Sequence, residues 1–72
     1  MIYKEVLIIT EERRISEEEY LGKRVLVSIE DPWHPIHAEG IVERVDDMGQ
    51  LHGTWGSLAA IPGIDSIQII GG

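Results

Sequence analysis

Val25-Leu26-Val27-Ser28-Ile29-Glu30 is the stretch on which the fold turns. Val25, Val27 and Ile29 alternate with Leu26, Ser28 and Glu30, the period-two pattern of a half-buried strand. Asp31-Pro32-Trp33-His34-Pro35 ends it, because proline cannot donate to a sheet ladder. A second strand is predicted from about Ala38 to Val45, with Gly40 marking a bulge or sharp bend. Asp46-Asp47-Met48-Gly49 reads as a turn, with Asp first and Gly last as type I prefers. In the next strand Leu51, Gly53 and Trp55 share one face, and His52 and Thr54 the other. Gly56-Ser57 then turns the chain into a fourth strand, Ser57 to Ile61. Pro62-Gly63-Ile64-Asp65 is a tight connection to the last strand, Ser66 to Ile70, and Gly71-Gly72 is expected to fray.

Upstream of Val25, Ile2–Thr10 is rich in Ile, Val and Leu and reads as a strand covered on both faces. Glu11 to Ile15 is a polar connection. Ser16-Glu17-Glu18-Glu19 is a capping-box pattern, so a short helix of one or two turns should follow and stop near Leu21-Gly22, where glycine suits a left-handed residue. Five short strands at this spacing predict a mainly β domain, a small barrel or sandwich. The 72 residues suffice for one domain: residues 22–70 for the five strands, residues 1–21 for the added strand and helical turn.

Composition narrows the chemistry. There is no cysteine, so disulfides, thiolate zinc sites and thiol nucleophiles are excluded, and a reducing cytoplasm is the expected setting. No segment reads as a signal peptide or membrane span; Val6 to Ile9 is far too short. The net charge is −7, and beyond residue 23 only Arg24 and Arg44 face seven carboxylates. Affinity for nucleic acid comes mostly from Lys and Arg on phosphates, so neither nucleic acid nor an anionic membrane is an expected partner.

The run from Gly22 to Ile70 also carries a recognisable order of motifs. These are Gly22 with Val25, Asp31-Pro32-Trp33, Gly40-Ile41-Val42, Val45-Asp46-Asp47-Met48-Gly49, Trp55, and Ile61-Pro62-Gly63-Ile64-Asp65. In this order it resembles a family of short bacterial and phage domains of unknown function. The resemblance implies a small SH3-like five-stranded barrel, with no assigned activity, catalytic residue or cofactor. Two positions depart from the family pattern: Gly53, where a β-branched or basic residue is usual, and the short turn at Gly56-Ser57. Residues 1–21 lie outside the resemblance.

Three groups of residues could carry function. An aromatic flanked by prolines and a carboxylate, as in Asp31-Pro32-Trp33-His34-Pro35, has the composition of a peptide-recognition groove; the competing reading, favoured by the small core, is that Trp33 caps one barrel end. His34, His37 and His52 could suggest a metal, but Pro35 precludes a helix presenting His34 and His37 together, and no full ligand set is indicated. Asp46, Asp47 and Asp65 are paired or turn carboxylates whose positions turn chemistry already explains. Trp55 suits core packing better than ligand stacking. No nucleophile–base pair or phosphate loop is present, so catalysis and cofactors are not expected. The expectation is a non-catalytic protein- or peptide-binding module using Asp31, Trp33, His34, Asp46, Asp47 and Trp55, with a basic partner. Two alternatives are an acidic inhibitor or nucleic-acid mimic, and a self-assembling domain pairing through Ile2–Ile9.

Overall fold

In the computed structural model, the described residues are 10–72, so the strand expected over Ile2–Thr10, and any self-assembly through it, lies outside them but for Thr10. The described chain opens with α1 (Glu11–Tyr20), followed by β1 (Arg24–Ile29), β2 (Ile36–Val45), β3 (Leu51–Gly53), β4 (Gly56–Ala60) and β5 (Ser66–Gly71).

The helix is longer than the expected turn and begins earlier. Thr10, not Ser16, is its N-cap: the Thr10 hydroxyl oxygen accepts from the Arg13 N–H at 3.2 Å. Glu11 and Glu12 then occupy the first turn, where carboxylates meet the positive end of the helix. Ser16 falls mid-helix and is buried at 6% exposure, its hydroxyl donating to the Gly49 carbonyl at 2.9 Å. The helix ends as expected, with Gly22 at φ +78°. Its anchorage is largely polar. The Thr10 hydroxyl donates to the Asp47 carbonyl, and Arg13 Nη1 bonds Asp47 Oδ1 at 2.8 Å. Both tie α1 to the same β2–β3 turn that Ser16 reaches.

The strands form one antiparallel sheet in the order β4-β3-β2-β1-β5. β1 is therefore interior, and its alternation is borne out: Val25, Val27 and Ile29 are buried, while Leu26 faces solvent. With Val42, Val45, Leu51 and Ala60 they make the core. The sheet coils enough that β4 approaches β1 across two intervening strands. Among the described residues, however, the sheet is not closed, and β4 and β5 are its edges. The link between those edges uses its own backbone groups. The Ile61 carbonyl accepts from the Ile64 and Asp65 N–H groups at 3.0 and 2.8 Å, the Ile61 N–H donates to Asp65 Oδ2 at 2.7 Å, and Pro62 has no N–H.

Two further details differ from expectation. The β3–β4 turn is Thr54-Trp55, with Gly53 paired to Gly56, instead of Gly56-Ser57. This places the Trp55 indole over a pair of glycines. A Cβ at Gly53 would lie 2.3 Å from Trp55 Cζ3, and one at Gly40 would lie 2.9 Å from Trp55 Cε3. Gly40 is thus a packing glycine, and the irregularity in β2 lies farther on, between Val42 and Arg44. At the other end of the chain Gly71 pairs with Arg24, so β5 outlasts its expected end at Ile70.

Candidate binding surface

Where β1 leaves the sheet, the chain makes an Asx-type turn. Asp31 Oδ1 accepts from the N–H groups of Trp33 and His34, both at 2.9 Å. Those bonds, the one from His34 first, hold the Asp31 carboxyl below the usual carboxylate range. The same turn thrusts Trp33 outward. The residue is 84% exposed, so it does not cap the core. Pro32, His34 and Pro35 are exposed beside it.

The neighbouring outer face of the sheet adds groups that the sequence reading passed over. Ser28 and His37 are cross-strand partners, and Ser28 Oγ lies 2.7 Å from His37 Nδ1. Glu30 Oε1 accepts from Ser28 Oγ at 3.3 Å but is 3.6 Å from His37 Nε2, beyond hydrogen-bond distance. The trio lies on the exposed face of the sheet, where Ser28 Oγ orients His37. Among the described residues no cluster of His, Asp and Glu is suited to hold a metal ion.

The remaining candidates go elsewhere. Trp55 is a core residue at 8% exposure, and its indole N–H donates to the Leu58 carbonyl at 2.8 Å. Asp46 holds the β2–β3 turn: Oδ1 accepts from Met48 and Gln50 N–H groups at 3.0 and 2.9 Å, and Oδ2 lies 2.8 Å from His52 Nε2. Burial opposes its charged form, but the bonds from His52, Gln50 and Met48 outweigh it and lower the pKa. Asp47 is engaged by Arg13 and Thr10. Of the six residues expected at one surface, the structure gathers Asp31, Trp33 and His34 on one loop. It assigns Trp55 to packing, Asp46 to the β2–β3 turn and Asp47 to the anchorage of α1.

Beside the loop runs an open groove of about 370 Å³. Asp31 and Pro32 of the loop, Leu58 and Ala59 of β4, and Ile29, Gln50 and Ile61 line it. Glu30 and Asp65 add carboxylates at its margin. No sequence signal marks this groove, because its lining comes from segments far apart in the chain. A smaller cleft of about 240 Å³ separates α1 from Ile61 and Pro62.

No helix among the described residues is long and apolar enough to cross a membrane. Neither the curated proteins nor the solved structures contain a match to this chain. The family match begins at Arg14, inside α1, and not at Gly22, so most of the helix is part of the shared domain. Mainly β, with five strands and one helix among the described residues, and matched over residues 14–70 by the family model, the chain belongs to the domain of unknown function family DUF4314.

Proposed function

We propose that this domain is a non-catalytic binding module for protein or peptide segments of basic character, and that Trp33 is its principal contact. The observation that carries the reading is the 84% exposure of an indole held on a hydrogen-bonded turn. Covering an indole of about 200 Å² is worth roughly 5 kcal/mol before the costs of association. The turn has already ordered the backbone beneath it, which lowers that cost. Glu30, Asp31 and Glu39 lie on or near the same face, and the net charge of −7 favours cationic partners. The strand order, a four-strand meander with β5 returning beside β1, supports an SH3-like assignment. The lack of cysteine supports a cytoplasmic setting.

The test is affinity capture with wild type and Trp33→Ala immobilised side by side. Basic proteins retained by the wild type should be lost from the variant. If every retained protein stays bound to Trp33→Ala, the site is elsewhere. The second reading, an acidic mimic of nucleic acid, is favoured by α1, which exposes Glu11, Glu12, Glu18 and Glu19. It predicts a partner that binds nucleic acid and an affinity that falls steeply with salt.

A further inference from the structure

Carboxylates and an exposed edge strand meet at the groove between the Trp33 loop and β4. We propose that this groove holds an extended peptide segment, whose lysine or arginine side chains reach the carboxylates at its margin. The proposal rests on the binding-module reading, and it adds a second wall to the site and a chemistry to the partner.

Three observations converge. First, β4 is an edge of the sheet, paired with β3 on one side and with no ladder on the other among the described residues. The Leu58 carbonyl is taken by the Trp55 indole N–H, so the template for an extended chain is the rest of this edge, unpaired among the described residues. Second, apart from its carboxylates and Gln50 the lining is apolar. Ile29, Pro32, Leu58, Ala59 and Ile61 are suited to the aliphatic stems of lysine and arginine, which bury their methylenes and keep the charge in water. Third, the margin carries Glu30, Asp31 and Asp65, while the Lys and Arg of the described chain (Arg13, Arg14, Lys23, Arg24 and Arg44) line none of it. An acidic peptide would be repelled there and a basic one steered in. The volume of about 370 Å³ accommodates a short segment and not a folded domain.

The experiment is an NMR titration of the full isotope-labelled chain with two capped hexapeptides. One alternates lysine with leucine, and the other carries glutamate in place of lysine. The lysine peptide should shift the amides of Glu30, Leu58 and Ala59, and the glutamate peptide should leave them unmoved. Ala59→Lys places a cation in the groove and should weaken the lysine peptide about tenfold. Glu30→Lys, at an exposed position, should do the same and guards against a folding defect in the first variant. Wild-type affinity in both variants overturns the proposal. So do groove shifts on dilution of the protein alone, which would assign the groove to a second copy. The two readings separate cleanly. Loss of binding in Trp33→Ala with none in Ala59→Lys leaves the module and removes the groove. The converse leaves the groove and removes Trp33 as the principal contact.

Discussion

Gly53→Ala should cost this domain much of its stability, although it adds a single methyl group. The added Cβ would lie 2.3 Å from both the Ile41 carbonyl oxygen and Trp55 Cζ3, and 2.7 Å from Cη2. Neither neighbour is free to retreat. The Ile41 carbonyl accepts from the Thr54 N–H at 3.2 Å, and the indole is tethered to the Leu58 carbonyl at 2.8 Å. Overpacking of a tight core typically costs 1–3 kcal/mol, and an indole displaced from its acceptor adds about 1 kcal/mol. Alanine returns about 0.4–1 kcal/mol by restricting the unfolded chain. The net loss is about 2–3 kcal/mol, against a total of roughly 4–10 kcal/mol for a domain this size. At about 4–8 °C per kcal/mol, Tm should fall by roughly 10–20 °C. Thermal and urea unfolding followed by tryptophan fluorescence read this directly. Gly63→Ala is the control: no atom lies within 4 Å of its Cβ, and only the strain of φ +87° is incurred, about 1–2 kcal/mol. A Gly53→Ala protein melting within about 2 °C of wild type would refute the packing argument.

Two further outcomes follow from the polar contacts of the β2–β3 turn. Ser16→Ala leaves the Gly49 carbonyl without its buried donor, so stability should drop by about 1 kcal/mol even after the better helix propensity of alanine; amide exchange should quicken along α1, and unchanged exchange there would count against the anchor. The Asp46 pKa is lowered in the folded state, so its contribution is present above its unfolded value of about 3.9 and is lost as pH falls through the folded pKa. The stability gap between wild type and Asp46→Asn should accordingly be full at pH 7 and shrink in acid below about pH 4, which urea titrations at several pH values would show.

Several features of this protein were readable in the chain because they are local. The alternation at Val25, Val27 and Ile29 identifies a half-buried strand wherever it occurs. Asp46 and Asp65 each bond backbone within four residues, as turn aspartates do, so both turns were predictable. The start of α1 was misread for an equally physical reason. Thr10 and Ser16 are both competent caps, and their choice depends on what else each hydroxyl can reach. Ser16 finds the Gly49 carbonyl 33 positions away, which no local pattern contains.

The candidate site divides along the same line. Its loop, with Asp31 bonding the two N–H groups that follow, is written in consecutive residues. Which tryptophan faces solvent is not. Trp33 and Trp55 both stand in turns beside small or polar residues, yet one is 84% exposed and the other 8%. Trp55 is drawn inward because Gly40 and Gly53, on two different strands, leave room for its ring. Trp33 meets no such vacancy. The groove is likewise a product of tertiary structure alone, since its lining is drawn from the end of β1, the Asp31 loop, β4 and the β4–β5 link. The sequence by itself determined the five strands of the sheet to within a few residues, the turns held by Asp46 and Asp65 and the acidic charge, because those depend on neighbours a few residues apart. Only the tertiary structure decided what is inside, what is exposed and where the sheet ends, because those depend on contacts between residues far apart in the chain.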